Sequence, residues 1–172
     1  MRRGAEEEFR EFVEASGPDL TRLARLLVPR AHDADDLVQT ALLRVWKAWD
    51  RVVAATDRMS YVRKILVNTA ISQGRTRTAS IALHSSPDAG SDDAQVVADH
   101  MFLVGALRTL APRQRCAVVL RYYGDLDDAA IAEMLGCSAS TVRSQIHRAL
   151  AHLRVAERNP EPVRGPRLEE SR

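Results

Sequence analysis

The stretch DAAIAEMLGCSASTVRSQIHRALAHL, Asp128 to Leu153, decides how the chain is read. Ile131, Met134 and Leu135, then Val142, Ile146, Leu150 and Leu153, recur at three- and four-residue spacing on either side of Gly136-Cys137-Ser138. That is the pattern of two short helices sharing a small core across a glycine turn. Ala132 leaves room for the helices to approach. The second helix, about Ala139 to Arg154, exposes Ser140, Thr141, Arg143, Ser144, Gln145, His147 and Arg148, donors and acceptors suited to base edges and phosphates in the major groove. Asp125, Asp127, Asp128 and Glu133 lie in or before the first helix, whereas the second has no carboxylate until Glu157. An αα-hairpin with a merely solvated face would share the apolar spacing. The glycine turn, the Ser/Thr start and the segregation of charge favour a helix-turn-helix that binds DNA.

Upstream of this pair, Pro112 marks a first helical turn, followed by Cys116, Val119 and Leu120. Val96, Val97, Met101, Leu103, Val104, Leu107 and Leu110 carry helical periodicity before it. From Thr76 to about Gln95 the residues are mostly Ser, Ala, Asp, Gly and Pro, which predicts a flexible linker. A second helical lobe precedes it. Phe9, Phe12, Val13, Leu20, Leu23, Leu26 and Leu27 form one helix that Pro29 ends. Asp33, Asp35 and Asp36 open the next, where carboxylates suit free amides and the helix dipole. Leu37, Ala41, Val45 and Ala48 make its apolar stripe. A third helix runs from Met59 to Arg75. The terminal Asn159 to Pro166 tract, with three prolines, predicts disorder. The fold class is therefore all-α: two small helical domains joined by a flexible linker.

Composition limits the alternatives. With 172 residues, 45% hydrophobic and 28% charged, the chain has ordinary globular usage. No apolar run approaches the roughly 18 residues of a membrane span, and the acidic start lacks the apolar core of a signal peptide, so a cytoplasmic location with no membrane contact is expected. The two cysteines, Cys116 and Cys137, are too few for a disulfide framework or a four-ligand zinc site, and no cofactor is expected. A net charge of +2 decides nothing, because placement governs phosphate affinity. Placement is informative: residues 58–77 carry Arg58, Arg63, Lys64, Arg75 and Arg77 with no carboxylate. Tyr61, Asn68, Ser72 and Gln73 are interleaved with them, a mixture suited to stacking and tracking single-stranded DNA. His147 and His152, five apart, fall on different faces, and no phosphate loop or nucleophile elbow accompanies them, which argues against an enzyme.

Several motifs in order give the chain a resemblance to bacterial sigma-70-type factors of the extracytoplasmic-function group, nearest the SigE-like branch of high-GC bacteria. They are Asp33 to Thr40 (DADDLVQT) with Leu43-Arg44-Val45-Trp46, Tyr61 to Asn68 (YVRKILVN), Leu110 to Arg115 (LAPRQR), and Leu120-Arg121-Tyr122-Tyr123. Ile131-Ala132, Leu135-Gly136, Ser140 to Ser144 (STVRS) and His147-Arg148-Ala149-Leu150 complete the set. The resemblance implies a region 2 domain over residues 6–77, which docks on the clamp helices of core RNA polymerase and captures the melted −10 strand. It implies the linker over 78–95, a region 4 domain over 96–156 whose preceding helices grip the polymerase flap while its helix-turn-helix reads the −35 duplex, and a disordered tail over 157–172.

By residue, it implies polymerase docking at Asp35, Asp36, Gln39, Thr40, Leu43 and Arg44. The −10 contacts fall to Arg58, Tyr61, Arg63, Lys64, Asn68 and Arg75. The −35 contacts fall to Arg115, Ser140, Thr141, Arg143, Ser144, His147 and Arg148. Partners implied are core polymerase, promoter DNA and an anti-sigma factor. Two departures stand out. Residues 70–77 (AISQGRTR) carry Gly74 and no aromatic where the family commonly has an aromatic and further arginines, and Gln145 stands where arginine is frequent. A free-standing repressor would explain residues 125–154 but leave Asp35 to Trp46 and Tyr61 to Asn68 without a role.

Overall fold

The computed structural model describes residues 2–78 and 103–158, all of it helix and connecting turns with no strand among the described residues. The linker and tail predicted at 78–95 and 157–172 lie almost wholly outside those residues. Four helices build the first lobe: α1 (Arg2–Leu27), α2 (Ala31–Lys47), the short α3 (Trp49–Ala54) and α4 (Arg58–Thr78). A helical segment at 103–108 leads into the second lobe, made of α5 (Pro112–Tyr122), α6 (Asp128–Leu135) and α7 (Ala139–Arg158). No helix among the described residues is long and apolar enough to cross a membrane.

The apolar stripes meet as the spacing requires. Leu20, Leu23 and Leu27 of α1, Leu37, Ala41 and Val45 of α2, and Val62 and Leu66 of α4 are all buried. Trp49 caps this core, with Phe9 edge-on at 5.1 Å between ring centroids and Phe12 at 5.5 Å, geometries that aromatic quadrupoles favour. The side chain of Arg44 reaches across from α2 to Thr69 Oγ1 at 3.0 Å, and Thr69 donates in turn to the Ile65 carbonyl at 2.7 Å. The expected carboxylate cap of α2 is not made. Arg30 occupies the N-cap without a side-chain bond, and Asp33 is buried in the first turn with His32 Nε2 3.0 Å from its Oδ1. Asp35 and Asp36 lie five and six positions past the N-cap, beyond the free amides of the first turn, and stay exposed.

In the second lobe Asp127 caps α6, accepting from the Ala130 amide at 2.8 Å. Gly136 ends the helix at φ 62, the left-handed conformation that glycine adopts without a Cβ penalty, and the Cys137 amide bonds back to the Ala132 carbonyl. Ser138 then caps α7 through the Thr141 amide at 3.1 Å. Ile131, Met134, Leu135, Val142 and Ile146 of the predicted core are buried, joined by Ala149, while Leu150 and Leu153 are half-buried against it.

The two lobes do not hang apart. α4 packs on α5 and α6, and α1 packs on α5, so the buried residues of both lobes form one continuous core. Gly74 of α4 packs against the start of α5: a Cβ built there would lie 2.7 Å from Pro112 Cγ.

Candidate nucleic-acid interface

On α7 the duplex-reading candidates form one polar surface. Ser140, Arg143, His147 and Arg148 are exposed, while Thr141 and Ser144 are half-buried. The hydroxyl of Ser138 lies 2.9 Å from Ser140 Oγ and 2.8 Å from Thr141 Oγ1, and Ser144 Oγ donates to the Thr141 carbonyl at 2.9 Å. Three hydroxyls thus gather at the positive end of the helix. Arg143 Nη1 sits 3.4 Å from Asp128 Oδ2, and the same carboxylate accepts from Arg121 Nη2 at 2.6 Å. Arg121 also donates to the Leu126 carbonyl at 2.9 Å, so Asp128 is held from behind and holds Arg143 in front. Sequence reading missed this tie. Its only trace was the pairing of Asp128 with an arginine on each neighbouring helix, which periodicity does not reveal.

Arg115 corrects an expectation. It is only 6% exposed, and its guanidinium donates to the carbonyls of Leu107 (2.8 Å), Leu27 (3.1 Å), Arg108 (3.1 Å) and Leu110 (3.0 Å). Burial lowers its pKa. So placed, it gathers the free carbonyls where α1 and the 103–108 segment end, which helix termini cannot satisfy internally, and it offers DNA nothing. Beside it, burial pushes the Cys116 thiol up to about 12, leaving it protonated and inert near neutral pH. Cys137 is half-buried and both cysteines are free.

The basic stretch of α4 divides. Tyr61, Lys64, Asn68 and Arg75, three, seven and fourteen residues on from Tyr61, share one side of the helix. Asn68 and Arg75 are exposed there, and Tyr61 and Lys64 half-buried. Lys64 Nζ is 3.1 Å from Glu133 Oε1 of α6, and Arg58 Nη1 is 2.9 Å from Glu8 Oε1 of α1. Arg63, adjacent to Lys64 in sequence and likewise half-buried, turns to another side and lines a cavity of about 190 Å³ with Leu20, Leu120, Tyr123 and Leu126.

The polymerase-docking candidates Asp35, Asp36, Gln39 and Leu43 are exposed on α2, with Thr40 half-buried, while the head group of Arg44 is turned back onto Thr69. Leu43 is 64% and Trp46 38% exposed. With Phe9 and Val13 of α1 they line an open groove of about 770 Å³, edged by Glu6, Arg10, Glu14 and Gln39. The α1 half of this groove was not foreseen, although Phe9 and Val13 are one turn apart.

Comparison with known proteins agrees with both lobes. Residues 12–79 match the family Sigma-70 region 2, and residues 103–153 match Sigma-70, region 4. The chain is 40% identical over 156 residues to an RNA polymerase sigma-E factor of Streptomyces avermitilis, covering 90% of this chain and 87% of that one. It is 40% identical over 149 residues to its namesake in Streptomyces coelicolor, covering 86% and 84%. Among solved structures, the sigma factor RpoE in complex with the anti-sigma factor NepR from Bartonella quintana superposes with a TM-score of 0.67 at 25% identity, over 90% of this chain and 99% of that one. CnrH in complex with the cytosolic domain of CnrY shares the fold, with a TM-score of 0.61 over 91% of each chain at 22% identity.

Proposed function

This chain belongs to the sigma-70 family, in the extracytoplasmic-function group beside the sigma-E factors of Streptomyces, and from that membership we propose which of its residues make each contact. It is a promoter-recognising RNA polymerase sigma factor and not an enzyme; it guides polymerase to a start site and carries out no chemistry. We assign the −35 duplex to α7, through Ser140, Thr141, Arg143, Ser144, His147 and Arg148. The observation that carries this assignment is the carboxylate-free polar face of a capped helix, set on the far side from the buried core.

The melted −10 strand goes to α4. Tyr61, Lys64, Asn68 and Arg75 line up for it, with Arg58 at the entrance. Extruding a base costs a few kcal/mol of unstacking, and a stacking ring with cations along one stripe offsets that cost. Arg115 drops out, because its guanidinium is spent on buried carbonyls, while Arg63, half-buried beside Lys64, stays among the −10 candidates. The clamp helices of core polymerase would seat against α2 at Asp35, Asp36, Gln39, Thr40 and Leu43, and the α1–α2 groove widens that surface to Phe9, Val13 and Trp46. Domain limits of 6–77 and 96–156, joined by residues 78–95, fit this division, with 157–172 outside both. A cytoplasmic location follows from the partner. Two structures similar to this one hold an anti-sigma factor or a cytosolic partner domain, which supports an inhibitory protein partner for this chain also.

The test is run-off transcription with core polymerase on a genomic library. Discrete start sites sharing upstream elements are expected; tight, specific duplex binding by the chain alone, with no transcription in the presence of polymerase, would instead make it a free-standing regulator.

A further inference from the structure

Asp128 opens the first helix of the helix-turn-helix, yet its carboxylate does not cap that helix. The cap of α6 is made by Asp127, whose side chain accepts from the Ala130 amide at 2.8 Å. Asp128 stands instead between arginines of the two neighbouring helices: Oδ1 accepts from Arg121 Nη2 of α5 at 2.6 Å, and Oδ2 lies 3.4 Å from Arg143 Nη1 of α7. Burial grades the three groups. The side chains of Asp128 and Arg121 are 19% and 35% exposed, whereas that of Arg143 is 65% exposed. The back of the cluster is held firmly, since Arg121 also donates to the Leu126 carbonyl at 2.9 Å and the Leu126 amide donates to the Leu120 carbonyl at 3.1 Å. The front contact is longer than an ordinary N–H···O bond, so it directs the Arg143 guanidinium without enclosing it.

Direction matters because of how arginine reads a base. A guanidinium carries five N–H donors in a planar fork, and guanine O6 and N7 accept from two adjacent ones. With Nη1 turned toward Asp128, the Nε and Nη2 edge of Arg143 has no partner among the described residues and is left to meet a groove. Without that carboxylate the guanidinium has two competing uses, a base edge and the nearest phosphate, and phosphate contacts carry no sequence information. The first helix of a helix-turn-helix crosses the DNA backbone. Asp128, at the N-terminus of α6, therefore also places a negative charge where phosphates approach, which disfavours the second use.

We propose that Asp128 is a positioning residue that determines specificity: it holds Arg143 away from the phosphates and presents the Nε and Nη2 edge to a guanine of the −35 element. Arg121 anchors the carboxylate in that role. The proposal rests on the assignment of α7 to the −35 duplex. Asp128 itself touches no base. Its removal should loosen sequence preference and at the same time strengthen indiscriminate attraction to DNA, a combination that damage to the fold does not produce.

Holoenzyme reconstituted from the full chain and core polymerase tests this on promoter duplexes randomised across the −35 element, with the bound fraction sequenced at several salt concentrations. The native chain should favour guanine at one base pair, and Arg143→Ala should erase that preference. Asp128→Ala should reduce the same preference by about tenfold, within the range that one bidentate contact supplies, and leave the other pairs unchanged. The slope of log affinity against log salt should steepen by about 0.9, the increment for one added phosphate contact. Combined with Arg143→Ala, Asp128→Ala should change the base preferences no further. Asp128→Asn keeps the shape of the side chain and an acceptor for Arg121 but removes the charge; it should behave as Asp128→Ala does, and it decides the matter should the alanine variant fail to fold.

Native preference at every pair in Asp128→Asn, or a uniform loss of affinity across all sequences, overturns the proposal. If Arg143→Ala erases a preference that Asp128→Asn preserves, the assignment of α7 to the duplex stands and only the role of Asp128 fails. If Arg143→Ala leaves every preference intact, the reading of a −35 base by Arg143 is what fails, and the role of Asp128 falls with it.

Discussion

Helices α7 and α4 are both basic and both assigned to DNA, yet the fold treats their cations in opposite ways. Arg143, His147 and Arg148 of α7 stand exposed, and the one tie among them, from Arg143 to Asp128, orients the side chain without hiding it. On α4, Lys64 is paired with the other lobe, Arg58 with α1, and Arg63 is half-buried at the edge of a cavity. The cations of the duplex reader face solvent, whereas two of those on the strand reader are engaged in ion pairs within the fold.

The contrast predicts effects of graded size. Arg115→Ala should be the most damaging single change, because it removes four charged hydrogen bonds and leaves buried carbonyls without donors. A loss of roughly 3–5 kcal/mol in urea unfolding is expected, and unaltered stability would return Arg115 to the surface role the sequence suggested. Leu43→Asp should leave the fold intact and weaken binding to core polymerase by about 2 kcal/mol or more, the scale of a central interface residue. Equal holoenzyme formation in a competition assay would remove the α1–α2 groove from the docking surface. Arg143→Ala should cost about 1–3 kcal/mol on its own promoter and relax preference at one base pair. A uniform loss across all sequences would make it a phosphate contact.

Lys64→Ala is the subtlest of these: as one phosphate contact it should lower the slope of log affinity against log salt for single-stranded DNA by about 0.7, with little change in stability, since exposed ion pairs contribute at most about 1 kcal/mol. Cys116 gives a pH signature. Its folded-state pKa of about 12 lies above the ordinary value of 9.0, so the folded chain holds a proton that the unfolded chain releases between those values. Stability should therefore be undiminished below pH 9 and fall as pH rises toward 12, and a thiol reagent at pH 8 should label Cys137 while sparing Cys116.

How much was legible in the sequence differs between the same two helices. Everything that defines α7 is local: the Gly136 turn, the Ser138 cap and the apolar spacing of Val142, Ile146 and Leu150 need no partner to be recognised. The stripe of α2 is legible for the same reason. Arg115 was misread because its four acceptors come from chain segments up to 88 residues away, and an arginine beside Pro112 in a basic motif gives no sign of burial. Arg63 and Lys64 read as a pair in sequence but stand about 100° apart on a helix, so one meets Glu133 and the other enters the lobe boundary. Gly74 registered only as a departure from the family pattern. Its meaning depends on Pro112, which no local rule brings near it.

Promoter complexes formed with core polymerase test the division of labour most directly, by nuclease protection and permanganate reactivity measured together. With Arg143→Ala, protection around −35 should weaken while thymines near −10 remain reactive in the complexes that form; with Asn68→Ala, −35 protection should persist and −10 reactivity should drop. Identical patterns for the two variants would contradict the assignment of duplex to α7 and strand to α4.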